Sequence, residues 1–115
     1  MAGITLLAGG VGAAKLLRGL ARSTDSASLT VVVNTGDDDE FYGLAVSPDL
    51  DTIVYTLAGL ASVKTGWGVE GDRFTALEGL EQLTGLPAWF RLGDRDLATH
   101  IFRTQRLRTG HRLGR

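Results

Sequence analysis

Apolar positions along the chain change period from segment to segment. Ile4-Thr-Leu-Leu-Ala8 is a short apolar run closed by Gly9 and Gly10, which predicts a buried strand of the parallel type. From Val11 to Arg22 the spacing becomes helical, with Leu16, Leu17 and Leu20 at helical intervals. Basic residues lie near the end of this segment, where the helix dipole favours them. Ser23 to Ser28 is polar and predicts a loop. Leu29-Thr-Val-Val-Val33 is rich in β-branched residues and predicts a second strand.

Asn34 to Glu40 leaves the carboxyl end of that strand as a polar loop. Ser47-Pro-Asp-Leu-Asp51 reads as a turn leading into a helix over 52–61, with Ile53, Val54, Leu57 and Leu60 on its apolar face. Gly66-Trp-Gly68 predicts a loop. Its Trp67 either covers a flat ligand or plugs the sheet edge, core packing being the commoner fate of such a ring. Asp72 is placed to cap a helix over 73–84, which Gly85 and Pro87 stop. Trp89-Phe-Arg-Leu92 predicts a short third strand, with Trp89 and Phe90 in the core, and a last helix runs over 97–109.

This order predicts an α/β fold: a single domain built on a Rossmann-like parallel sheet. Three strands are few for that class, and Leu107 to Arg115 closes no element. The expectation is an incomplete sheet: residues 1–115 form the amino-terminal part of one domain, as a fragment or a truncated gene product. Such a chain is expected to be marginally stable and catalytically silent alone.

Composition narrows the picture. The chain has 115 residues, 43% of them hydrophobic and 22% charged, the balance of one soluble globular domain. It has no cysteine, which excludes disulfides, thiolate metal sites and a thiol nucleophile. Ile4–Ala8 is too short to span a bilayer and no basic residues precede it, so neither a membrane span nor a signal peptide is expected. A cytoplasmic protein without a membrane partner is the reading. The net charge of −1 argues against nucleic-acid binding. It also hides an asymmetry, since residues 36–51 carry six acids and no base, whereas residues 91–115 carry seven arginines against two aspartates. The plain interpretation is an acidic loop and a solvated basic helix end; the sharper one is a metal-binding loop with arginines for phosphate.

Four segments carry candidate chemistry, each with a plainer alternative. Gly9-Gly-Val-Gly-Ala-Ala-Lys15 follows a strand and opens a helix, where glycines admit a diphosphate to the helix amino terminus. Tight strand-to-helix packing explains it as well. Asn34-Thr-Gly-Asp-Asp38 lies where open α/β sheets place ligands, and its run of acids suits a metal better than a ribose; a solvated turn is the alternative. In Pro48-Asp-Leu-Asp-Thr52 an extended chain would point Asp49 and Asp51 the same way, and either can instead cap the next helix. Asp37 with Asp51 would suit Mg²⁺ if the fold joins their loops, because hard cations take one or two carboxylates plus phosphate oxygens. Finally, Asp96, His100 and Arg103 share one helix face, on which a lone histidine is more often a packing residue than a proton carrier. Asp94 and Asp96 also suit a helix start.

Taken together and in order, GGVGAAKLLRGL, VVNTGDD, SPDLDTIVYTLAGL, GWG and WFRLGDRDLATHIFRTQRL resemble the amino-terminal third to half of the 2-phospho-L-lactate transferase family. The resemblance implies a Rossmann-like, Mg²⁺-dependent transferase of coenzyme F-420 biosynthesis. Such an enzyme moves a phospholactyl or phosphoenolpyruvyl group from a guanosine diphosphate ester to the terminal hydroxyl of a deazaflavin and releases GMP. It implies donor-diphosphate contacts at Gly9, Gly10, Gly12 and Lys15, Mg²⁺ ligation at Asp37 and Asp51, and Asn34, Thr35, Asp38 and Asp49 lining the same site. Asp94, Arg95 and His100 would face the acceptor or the donor phosphates, and Asp38 is the carboxylate assigned to take the hydroxyl proton. A homodimer is left open. Ala13 departs from a glycine common in the family loop, and its methyl is expected to crowd the phosphate slightly. The competing readings are a non-catalytic nucleotide- or sugar-nucleotide-binding regulator, and an NAD-dependent oxidoreductase, against which the acidic loop argues.

Overall fold

The computed structural model describes residues 3–88 and 90–112. Strand β1 (Ile4–Ala8), helix α1 (Val11–Ser23) and strand β2 (Leu29–Val33) form a βαβ unit whose strands pair in parallel, Ile4 opposite Leu29 through Ala8 opposite Val33. This is the α/β, Rossmann-like arrangement expected. Gly10 caps α1 with φ 121°, a left-handed backbone that a side chain would strain. Helix α1 buries Ala14 and Leu17, three apart, against Ala8 and Ile53, and Leu6, Leu29, Val31 and Val33 complete this first core. Leu16 faces solvent instead.

Strand alternation exposes a difference from expectation. Leu6 and Ala8 of β1 turn inward, but Leu7 is 78% exposed, so the strand is covered on one face and not on both. Helices α1 and α2 (Pro48–Leu57) pack with each other on the inner face, and no described element covers the outer one.

Residues 39–46, of which only Asp39 and Glu40 belong to the loop expected from the sequence, form a hairpin of β3 (Asp39–Phe41) and β4 (Leu44–Val46). Its turn residues Tyr42 and Gly43 both have positive φ, 52° and 75°, as a two-residue hairpin turn requires. Tyr–Gly lacks the usual Asn–Gly or Asp–Gly signature, which is why the turn was not visible in the sequence. Val46 joins Leu77 and Leu92 in a second core, flanked by Phe41 stacked on Phe90 with centroids 4.8 Å apart.

Helix α2 begins at Pro48, whose fixed φ suits the first helical position, rather than at residue 52. Its buried side chains are Asp51, Thr52, Ile53 and Tyr55, while Val54, Leu57 and Leu60 of the expected apolar face are about half exposed. Helix α3 (Thr75–Thr84) ends at Gly85 with φ 69°, as anticipated, and helix α4 (Asp94–Arg108) starts three residues before the expected position. Phe90 to Leu92 is irregular rather than a strand, with Phe90 and Leu92 in or against the second core; Trp89 lies outside the described residues.

The two helix starts exchange caps. Asp72, expected to cap α3, instead accepts the backbone N–H groups of Arg95 (2.9 Å) and Asp96 (3.1 Å) at the start of α4. Asp94 in turn accepts those of Ala76 (2.9 Å) and Thr75 (3.4 Å) at the start of α3. Each carboxylate thus satisfies the orphan donors of the other's helix. The exchange requires Gly93, because a Cβ there would lie 2.0 Å from Asp72 Oδ2.

Candidate functional site

Three of the sequence segments meet at the carboxyl ends of β1 and β2. Asn34 continues β2, its N–H donating to the Ala8 carbonyl at 2.8 Å, and its side-chain carbonyl accepts the Gly36 N–H at 3.0 Å. That leaves the Asn34 amide nitrogen free to donate to Asp49 Oδ2 at 2.9 Å. Asp49 sits in the first turn of α2, and its other oxygen is 3.8 Å from the place a Cβ would take on Gly10. Gly9 backs onto Asn34, whose Cβ would be 3.9 Å from a Cβ at Gly9. The mouth therefore comprises the start of α1, the end of β2 and the start of α2. Two helix amino termini supply unpaired N–H groups and positive dipole there.

Gly12 faces open space, with no atom within 4 Å of a built Cβ, so no packing contact demands its glycine. Ala13 is partly buried and packs against the first core. Lys15 is exposed one turn further along, beside Arg18 in a separate cleft between α1 and the 56–66 segment. Thr35, Asp37 and Gly36 are exposed on the turn after β2. Asp38 closes that turn, its N–H donating to the Thr35 carbonyl at 3.1 Å. Ser47 donates to Asp38 Oδ2 at 3.2 Å, while Asp38 Oδ1 is buried without a partner.

Asp51 leaves the opposite side of α2. Two residues along a helix turn the side chain by roughly 200°, so the same-side geometry of an extended chain does not hold. Its carboxylate is buried between α2 and α4 in a charge cluster. Arg103 Nη2 donates to Asp51 Oδ1, and Arg103 Nη1 donates to the Ala45 carbonyl (3.1 Å) and to His100 Nδ1 (3.2 Å). A guanidinium has no acceptor, so Nδ1 of His100 is the acceptor in that contact. Nε2 lies 3.2 Å from Asp96 Oδ2, off hydrogen-bond alignment, and the Tyr55 hydroxyl donates to Asp96 Oδ1 at 2.5 Å. Thr104 bridges this cluster to the hairpin, accepting the Ala45 N–H and donating to the His100 carbonyl, each at 2.7 Å.

Electrostatics separates the two carboxylates. Burial pushes the Asp51 pKa up, and the Arg103 charge and hydrogen bond and the His100 ring pull against it without overcoming it. Burial pushes Asp96 the same way, but His100 and the Tyr55 hydroxyl outweigh it and hold that carboxyl below its ordinary value. Tyr55 is raised by burial and by its bond to Asp96. Asp51 Oδ2 and His100 Nε2 are buried without hydrogen-bond partners, and one ligand atom from each of Asp51, Asp96 and His100 falls within 4.8 Å of the others. Asp37 is not part of that group.

An apolar cavity of about 330 Å³ opens over the cluster, with Tyr55, Trp67 and Phe90 as its aromatic walls and Asp51, Asp96 and His100 at its polar end. Trp67 is 47% exposed at this opening rather than in a core, held on a loop seated against α1: a Cβ on Gly66 would be 2.7 Å from Val11 Cγ1. Asp94 is engaged in capping α3 and Arg95 is exposed. Sequence reasoning missed Tyr55 and the pairing of Asp51 with Arg103. The signal was available: Asp51 and Tyr55 are four apart on one helix, as Asp96 and His100 are on another, so two polar stripes were there to be matched.

No described helix is long and apolar enough to cross a membrane. A protein-family model described as 2-phospho-L-lactate transferase CofD matches residues 4–114. Among curated relatives, the phosphoenolpyruvate transferase of Streptomyces avermitilis is 51% identical over 110 residues, covering 96% of this chain and 34% of the relative. Those of Thermobifida fusca and Nocardia farcinica are 47% and 46% identical, each match covering 96% of this chain and 37% and 33% of the relatives. The chain thus spans about a third of the length of the relatives it matches.

Proposed function

The chain belongs to the 2-phospho-L-lactate transferase CofD family, and on that premise we propose that it supplies the diphosphate-binding and catalytic portion of a transferase of coenzyme F-420 biosynthesis. The donor is a guanosine diphosphate ester carrying an enolpyruvyl or lactyl group, and the acceptor is the terminal hydroxyl of a deazaflavin. The relatives are phosphoenolpyruvate transferases, which favours the enolpyruvyl donor.

The observation that carries this reading is the meeting of Gly10, Asn34 and Asp49 at two helix amino termini. N–H groups at Gly10 to Gly12 face an anion, and the diphosphate is the most anionic part of either substrate. Thr35 would flank this anion site from the turn after β2, whereas Lys15 would have to reach it from the separate cleft it shares with Arg18. The aromatic cavity over Asp51 and His100 suits the flat deazaflavin, with Arg91 in its lining. In the reaction the acceptor oxygen forms a bond to the phosphorus bearing the enolpyruvyl or lactyl group. The bridging oxygen–phosphorus bond breaks, and its electron pair leaves with GMP. Asp38, whose Oδ1 has no partner, takes the hydroxyl proton.

Asp37 and Asp51 would each supply carboxylate oxygen to Mg²⁺, Asp37 from the exposed turn after β2 and Asp51 from the one buried oxygen that Arg103 does not hold. Bound there, the cation would neutralise phosphate charge during transfer. His100 holds Arg103 and Asp96 in position around Asp51.

The test is a chimera in which this chain replaces the matching third of the Streptomyces avermitilis relative. Mg²⁺-dependent GMP release from donor plus deazaflavin is the expected result, lost in Asp37→Asn and Asp51→Asn. Donor binding without turnover, in a chimera as folded as the parent, would favour the regulator reading instead.

A further inference from the structure

A carboxylate has two oxygens, and a cation can share both only where neither is already held. At Asp51 the two differ. Oδ1 accepts a hydrogen bond from Arg103 Nη2. That guanidinium is buried and held in place, because its Nη1 donates to the Ala45 carbonyl at 3.1 Å and to His100 Nδ1 at 3.2 Å. Thr104 ties the same two residues together through the Ala45 N–H and the His100 carbonyl. Oδ2, by contrast, is buried with no hydrogen-bond partner. His100 Nδ1 lies 3.6 Å from it, but while that nitrogen accepts from Arg103 it offers no proton.

We infer that Arg103 is a positioning residue that sets the choice of cation: by holding Oδ1 it limits Asp51 to one-oxygen binding, and so favours Mg²⁺ over Ca²⁺. The inference rests on the reading of Asp51 as a metal ligand. Mg²⁺ demands near-octahedral coordination at about 2.0–2.1 Å, which single carboxylate oxygens, phosphate oxygens and water supply. Ca²⁺ takes roughly 6–8 oxygens at about 2.3–2.6 Å and accepts both oxygens of one carboxylate. A cation chelated by Asp51 would stand between Oδ1 and Oδ2 and would have to displace Arg103 from Oδ1. Displacement would strand a buried guanidinium without its anion, which is costly. The charge of Arg103 opposes both divalent cations alike, so the ratio of their affinities reports geometry rather than charge.

The test is calorimetric titration of Mg²⁺ and of Ca²⁺ into the chimera with the Streptomyces avermitilis relative, GDP bound, and into its Arg103→Met and Arg103→Lys variants. Arg103→Met keeps the length of the side chain and removes its donors. It should shift the ratio of Mg²⁺ to Ca²⁺ affinity at least tenfold toward Ca²⁺. Arg103→Lys, whose ammonium can still hold one oxygen, should retain most of the wild-type ratio. Where Arg103→Met does not fold, the wild-type chimera decides by infrared spectroscopy. Its Ca²⁺-minus-apo difference spectrum, with the Asp51 bands identified by their loss in Asp51→Asn, should show the wide carboxylate splitting of one-oxygen binding. The narrow splitting of a chelated carboxylate would overturn the inference. An unchanged ratio in folded Arg103→Met, with cation binding weakened in Asp51→Asn, overturns the inference alone. Unchanged cation binding in Asp51→Asn overturns it together with the ligand assignment on which it rests. Turnover enters none of these measurements.

Discussion

Asp49 and Asp51 stand two residues apart in the first turn of α2 and meet opposite surroundings. Asp49 reaches an open mouth, where its partners are the amide of Asn34 and the bare backbone at Gly10. Asp51 is buried against Arg103, His100 and Asp96. In the mouth nothing is packed tightly, and groups are left available to a ligand. In the cluster nearly every polar atom has a neighbour, and position is fixed by charge. One short motif therefore meets two surroundings: its first aspartate lines the open mouth, and its second ties α2 to α4 while keeping one oxygen free.

The comparison breaks most visibly if the cluster is opened. Arg103→Ala leaves the Asp51 carboxylate buried without its cation, a change that costs about 3–5 kcal/mol in buried pairs. Urea unfolding should show that loss, and Arg103→Lys should recover only part of it, because an ammonium cannot reach Asp51, Ala45 and His100 as a planar fork does. A loss below about 1 kcal/mol would mean that the pair is solvated, and the contrast with the mouth would fail.

Tyr55→Phe is the next test. It removes a hydrogen bond to a carboxylate, worth about 1.5–3 kcal/mol. It also removes a pH dependence. The folded-state pKa of Tyr55 is raised, by burial first and then by Asp96. Its contribution is therefore complete below the unfolded value of about 10 and is lost as pH rises through the folded one. The wild-type chain should lose stability on the alkaline side of pH 10, and Tyr55→Phe should flatten that limb. Thermal unfolding across the alkaline range checks both.

The two regions also differ in how far the sequence announced them. β1, α1 and β2 follow from local period and glycine punctuation, and the segments of the mouth were legible because each follows a strand or opens a helix. The cluster was only half legible. Asp96, His100 and Arg103 read as one helix face, but their partners Asp51 and Tyr55 come from another helix whose start was misplaced by the turn-like look of Ser47-Pro48. Ile53, Val54, Leu57 and Leu60 looked like the buried face of that helix, yet only Ile53 of them is buried, since α4 receives Asp51 and Tyr55 instead. Burial there is decided by pairing between polar stripes, which hydrophobic period does not report. The cap exchange between Asp72 and Asp94 escaped for the same reason: either aspartate satisfies the local rule, and tertiary contact picks the partner.

Asp49→Ala probes the other side of the comparison. Its bond to Asn34 is exposed, and an acid in a first helical turn is worth about 0.3–1 kcal/mol. Stability should fall by no more than that, against the several-fold larger loss at Arg103. Calorimetry in the chimera should show weakened binding of the guanosine diphosphate ester, because Asn34 is no longer held at the mouth.

The smallest expected effect on stability, and the sharpest on binding, is at Gly12. A Cβ there meets nothing within 4 Å, and no positive φ is recorded at that residue, so neither packing nor backbone strain opposes a side chain. Gly12→Val should leave unfolding within about 0.5 kcal/mol of wild type. The space that accepts the valine is the space a diphosphate needs when it approaches the N–H groups at the start of α1. Affinity of the chimera for GDP should therefore drop at least tenfold, with deazaflavin affinity unchanged, since the aromatic cavity lies on the other side of α2's first turn. If GDP binding survived Gly12→Val in a folded protein, the open space at α1 would not be the anion site, and the division of labour between Asp49 and Asp51 would lose its ligand-binding half.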